Sequence, residues 1–112
     1  MLHKMSLAKD PFNKIKMGKK DIEMRLYDDK RKRIKPKDKI EFTNNETGEM
    51  LYVSVVAIHV FDNFEDLYHA FPKNRLGYAY KEKASYEDMY TYYPKGLQDV
   101  YRVCGIEIKL IK

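Results

Sequence analysis

The sequence predicts an α+β protein built as a small mixed β-barrel with short flanking helices. Strand-like patterns stand near both ends of the chain and around a central hairpin, and helix signals fall in the segments between them. Size is the third observation: 112 residues is the length of one domain, taken as 1–112, and buries enough surface to fold without disulfides.

Taken in order, Met1 to Leu7 alternates weakly, as a short edge strand does. Asp10-Pro11 reads as an N-cap followed by proline at the first helical position, with Phe12 and Ile15 on one face and Gly18 as the stop. The period then changes to two. Ile22, Met24 and Leu26 alternate with Glu23 and Arg25, which places the two charged residues together on the face opposite the core.

Lys39 to Thr43 begins a second strand, and Asn44-Asn45-Glu46-Thr47-Gly48 turns it into the long β-branched run Met50 to Phe61. Asn63 caps a helix carrying Phe64, Leu67, Tyr68 and Phe71 and ended by Pro72. Ser85 with Asp88 has the spacing of a capping box and opens a helix that reaches Pro94. One turn of helix from Leu97 to Tyr101 leads into a closing strand, Val103 to Ile111.

Composition narrows the function classes. Charged residues make up 35% and mean hydropathy is -0.68, and no apolar run approaches the ~18 residues of a membrane span. The N-terminus lacks the apolar stretch of a signal peptide, so a cytoplasmic protein with no membrane partner is expected. Cys104 is the only cysteine, which rules out an internal disulfide and a cysteine-based zinc site. His3, His59 and His69 are widely spaced and read as structural, no triad or phosphate loop occurs, and neither a metal nor a cofactor is expected.

The net charge of +5 is unevenly spread: residues 1–40 hold 14 Lys and Arg against 6 Asp and Glu, whereas residues 41–112 hold 8 against 11. A local positive field attracts polyanions. Its densest part runs from Lys30 to Lys37 and includes Arg31 and Arg33; the bland alternative is a solvated loop.

Gly18, Lys19, Lys20, Glu23 and Arg25 gather where the first helix ends and the strand begins. Glycine there permits a left-handed turn, and a lysine and an arginine flanking a carboxylate can hold an anion while the carboxylate accepts a hydrogen bond. A structural ion pair is the competing account. Tyr27 falls on the same strand face. Seven tyrosines crowd residues 78–101, where they either pack the core or stack on bases; Tyr78 and Tyr80, following Gly77, are the better stacking candidates.

Gly18, Lys20, Glu23 and Arg25 match G-x-K-x-x-E-x-R, and the chain resembles in element order the ASCH domain family of PUA-like β-barrels. The resemblance implies a cleft beside the barrel, floored by this motif, that engages RNA or nucleotide-like ligands. One branch with a similar layout hydrolyses N4-acetylcytidine using a threonine where this chain has Glu23, a lysine matching Lys20, and a glutamate whose nearest counterpart is Glu82. Other members are similar to ribonucleases.

Three functions are compatible with this sequence. The first is an RNA-binding module in which Lys30, Arg31 and Arg33 meet phosphates while Lys20, Glu23 and Arg25 read a nucleotide. The second is a small hydrolase of a modified nucleoside or RNA, with Lys20 and Glu23 as acid and base. The third is an adaptor for a protein partner, anchored by the tyrosines.

Overall fold

The computed structural model describes residues 1–111. Five strands form one sheet in the order β1-β3-β4-β5-β2, where β1 is Leu2–Leu7, β2 Ile22–Leu26, β3 Lys39–Asn44, β4 Met50–Phe61 and β5 Val103–Leu110. Only β1 and β3 run parallel; the other three pairings are antiparallel. A register shift between Val55 and Ala57 breaks the ladder of β4, and bulges of this kind bend a strand. The long arm of the hairpin thereby serves both halves of a curved sheet, a half-barrel with β1 and β2 as its free edges.

Two apolar clusters lie on opposite sides of that sheet. Inside the curve, Met5, Leu7, Ile40, Phe42, Val53, Val55, Cys104, Ile106 and Ile108 pack with Phe12 and Ile15 of the helix α1, Lys9–Lys16. Outside it, Ile22, Met24, Leu26 and Val103 pack under Phe64 and Leu67 of the helix α3, Phe64–Ala70, together with Leu76 and Met89 from two 3-10 turns. The remaining helices are short, α2 at Asp29–Lys32 and α4 at Leu97–Tyr101.

Several sequence expectations are met. The Asn63 side chain accepts from the Asp66 amide at 2.8 Å and caps α3, and Gly18 ends the first helical segment with φ +75°. His3 bonds Asp38 and His59 bonds Glu107.

Other expectations need correction. Helix α1 starts at Lys9, with Ala8 as its N-cap and no side-chain cap; Asp10 lies inside the helix and pairs with Lys14 instead. Ser85 and Asp88 form no capping box. Ser85 accepts from the Glu87 amide, the Asp88 carboxylate turns away to Tyr78, and the segment Tyr86–Thr91 is a 3-10 helix. The basic run contains a turn of helix, because Asp28 accepts from the Arg31 amide and supplies an N-cap ahead of it. The closing strand ends at Leu110, one residue short of the expectation.

Strand β2 is the main correction. Alternation placed Glu23 and Arg25 on a face opposite the core, yet Glu23 is only 3% exposed. Glu23 pairs across the ladder with Ile106 and Arg25 with Cys104, so both charged residues face the inside of the half-barrel while Ile22, Met24 and Leu26 face the outer cluster. The strand is covered on both sides.

Candidate functional site: a charged cleft at the barrel seam

The site lies where the half-barrel stays open, between edges β1 and β2. Glu23 takes a cation on each oxygen: Lys20 Nζ stands 2.9 Å from Oε1, and Arg25 Nε donates to Oε2 at 2.8 Å. Lys20 is 8% exposed. Arg25 also reaches over the seam, its Nη2 donating to the Ser6 carbonyl of β1 at 2.9 Å. Lys30 treats β1 similarly from α2, donating to the Lys4 carbonyl. Both carbonyls belong to the edge that β3 does not pair, and unpaired edge groups need partners of this kind.

The electrostatics of the trio follow from this geometry. Burial raises the proton affinity of the Glu23 carboxyl, but the charges and hydrogen bonds of Lys20 and Arg25 outweigh it and hold the group below the usual carboxylate range. For Arg25 the order is the same: burial lowers its pKa, and Glu23 more than restores it. The charged cluster carries one net positive charge.

Over this cluster opens a cavity of about 380 Å3. One wall is Ser6, Leu7 and Ala8 at the β1–α1 junction; the other is aromatic, formed by Tyr68, Tyr78, Tyr92 and Tyr93. Tyr93 stacks on Phe64 at a centroid distance of 6.0 Å. Burial raises its phenol pKa, while the nearby Arg25 and Arg31 charges pull it down. The Tyr78 hydroxyl donates to Asp88 at 2.6 Å and stands 2.9 Å from that of Tyr68; burial first, then these bonds, keep it protonated.

Gly77 shapes the cleft from behind. Its φ is +102°, and a side chain there would meet Lys20 Cδ at 3.3 Å and Lys14 Cδ at 3.4 Å. The residue is glycine both for its backbone and for the lysine stems packed on it.

The structure sorts the expected site residues into three groups. Lys20, Glu23, Arg25, Tyr78 and Glu82 line this cavity, and Gly18 and Lys19 line an adjoining hollow. Tyr27, Lys30, Arg31 and Arg33 line neither. Tyr27 is half-buried against the barrel core with the Lys32 ammonium 5.8 Å from its ring centre, Arg31 pairs with Asp28, and Arg33 is exposed. Glu82 accepts from the Ala79 amide at 2.7 Å and so closes its own turn. The sequence does not point to Ser6 or Tyr93: Ser6 contributes a main-chain oxygen, for which no sequence signal exists, and Tyr93 is one of seven tyrosines between residues 78 and 101.

Among the described residues no cluster of His, Cys, Asp or Glu is placed to hold a metal, and no helix is long and apolar enough to cross a membrane.

Comparison with known proteins decides the family. The model of the ASCH domain matches residues 5–101, including the whole motif from Gly18 to Arg25. The chain belongs to the ASCH domain family. Two solved structures are similar to this ASCH domain along their full length. The crystal structure of the hypothetical protein PH0355 has a TM-score of 0.83 and 34% identity, with 99% of this chain and 100% of that one covered. The solution NMR structure of protein PF0455 from Pyrococcus furiosus has a TM-score of 0.75 and 34% identity, covering 100% and 99%. No curated protein matches. The half-barrel with flanking helices is the PUA-like barrel expected of an ASCH domain, a family generally linked to RNA binding.

Proposed function

We propose that this ASCH domain is a cytoplasmic RNA-binding module whose seam cleft receives a nucleotide of single-stranded RNA. The observation that carries the proposal is the buried trio on the cleft floor: Glu23 holds both Lys20 and Arg25 beneath a cavity that is walled by tyrosines and also lined by Lys14 and by the carboxylates Asp10, Glu82 and Asp88. Arg25 and Lys20 offer further N–H donors to phosphate or base oxygens, and the rings offer flat apolar faces to a base. The exposed charges of the basic run, Arg33 among them, add phosphate contacts outside the cleft.

Binding is favoured over turnover. A hydrolase with Lys20 and Glu23 as acid and base needs a carboxylate free to take a proton, and both Glu23 oxygens are engaged by cations that lower its proton affinity. The glutamate positions the cations.

The test is a titration of labelled single-stranded RNA at low and moderate salt, followed by a gel of the same RNA. Intact RNA bound with an affinity that falls steeply with salt is expected, by roughly 0.7 logarithmic units per phosphate contact for each tenfold rise in salt. Removing Lys30 and Arg33 as charges should make that dependence shallower. Salt-insensitive binding, or shortened RNA, contradicts a binding module of this kind.

A further inference from the structure

The seam cavity does not end at Lys20. A second hollow of about 540 Å3 shares Asp10, Lys14, Lys20, Gly77, Tyr78 and Glu82 with it, so the two adjoin across the Lys20 stem and Gly77. The far lobe lies between the turn after α1, with Met17, Gly18 and Lys19, and the turn that carries Ala79 and Tyr80.

Tyr80 is the unusual feature of this lobe. It is 93% exposed, whereas Tyr68, Tyr78 and Tyr93 are half-buried in the outer cluster. Exposure alone would describe any loop tyrosine, but the backbone beneath this one is fixed. Lys73 Nζ donates to the carbonyls of Tyr80 and Glu82, the Glu82 amide bonds the Ala79 carbonyl, and the Glu82 carboxylate returns to the Ala79 amide. The Lys73 ammonium also stands 6.0 Å from the ring centre. The turn is held by four hydrogen bonds while its ring makes no core contact. Lys19 on the facing wall is exposed and has no ion-pair partner among the described residues.

We infer that this far lobe is a second nucleotide subsite, in which the base next to the one in the seam cavity stacks on Tyr80 and the linking phosphate meets Lys19. An exposed ring on a preorganised turn loses little freedom when a base stacks on it, and any base offers a face. The inference rests on the RNA-binding proposal and adds the path of the strand, from Glu23 past Gly77 to Tyr80.

The experiment uses the full chain and a single-stranded RNA octamer of mixed sequence carrying 2-aminopurine, whose fluorescence is quenched by stacking. Wild type should quench it, Tyr80→Phe should behave as wild type, and Tyr80→Ala should lose part of the quenching and about tenfold in affinity, as expected for one lost stacking contact. Exposure of the ring means that Tyr80→Ala should fold normally. If Tyr80→Ala binds and quenches as wild type while Lys20→Gln/Glu23→Gln/Arg25→Gln loses most of its affinity, the second subsite is wrong and the seam reading stands. If wild type does not bind the octamer, both fall.

Discussion

Arg25 Nη2 on β2 donates to the Ser6 carbonyl on β1 at 2.9 Å, so a single side chain joins the two free edges of the half-barrel. Its Nε holds Glu23 at the same time. Barrel closure and cleft electrostatics therefore share one guanidinium, a dual role that its planar array of donors permits and a lysine ammonium would not reproduce.

The trio behaves as a unit. Glu23→Ala leaves two nearly buried cations without their counter-charge and should destabilise the fold by about 3–5 kcal/mol, whereas Lys20→Gln/Glu23→Gln/Arg25→Gln, which removes all three charges together, should cost far less. Urea unfolding of the two variants beside wild type measures the difference. A triple variant that loses as much as Glu23→Ala, or more, would mean that the cations left unpaired in Glu23→Ala are not the source of its cost.

Acid should unfold the protein through carboxylates whose folded pKa is depressed. The His3 ring, with the Lys35 amide and the N-terminal ammonium, lowers Asp38 from 3.8 to about 2, and Glu23 is also held below its usual 4.5. For a depressed carboxylate the stabilisation is complete above the unfolded pKa and is lost as pH falls through the folded one. Stability should therefore decline below about pH 4.5, and Asp38→Asn should flatten the part of that decline between pH 3.8 and about 2. Urea midpoints measured from pH 6 downward test it; an unchanged slope in Asp38→Asn would remove that residue from the account.

Two glycines with positive φ should respond differently to alanine. Both Gly18→Ala and Gly77→Ala carry a backbone cost of roughly 1–2 kcal/mol. Nothing lies within 4 Å of the Gly18 position, but at Gly77 the new methyl group presses on Lys20 Cδ. RNA affinity should fall for Gly77→Ala and hold for Gly18→Ala when both are titrated under conditions where they remain folded.

Cys104 should be inert in the native protein. Burial raises its thiol pKa to about 12, and the side chain is fully enclosed inside the barrel. A thiol reagent at pH 8 should react only at the rate of unfolding; fast reaction would show the seam opening.

Much of the fold was readable because strand and helix periods depend on local pattern. Ile22, Met24 and Leu26 marked β2, Asn44 to Gly48 marked the hairpin turn, and Asn63 marked the start of α3. Burial of Glu23 was not readable. Period-two alternation assigns charge to a solvent face, and only the distant Ile106 and Cys104, with β1 across the seam, show that this face points inward. The same limit applies to Asp88: its spacing from Ser85 fits a cap, but the Tyr78 hydroxyl, a tertiary neighbour, takes the carboxylate. Lys20, Glu23 and Arg25, close in sequence, line one cavity, while the tyrosines across it depend on how the late 3-10 turn docks over α3.

The most direct test of the seam cleft as the RNA site is a single-stranded RNA titration of Lys20→Gln/Glu23→Gln/Arg25→Gln against wild type, after circular dichroism and urea unfolding have shown that the variant is folded. The predicted result is a folded protein that has lost most of its RNA affinity and whose residual binding, through the basic run, depends on salt. A folded variant that binds RNA as tightly as wild type would place the RNA elsewhere and contradict the account.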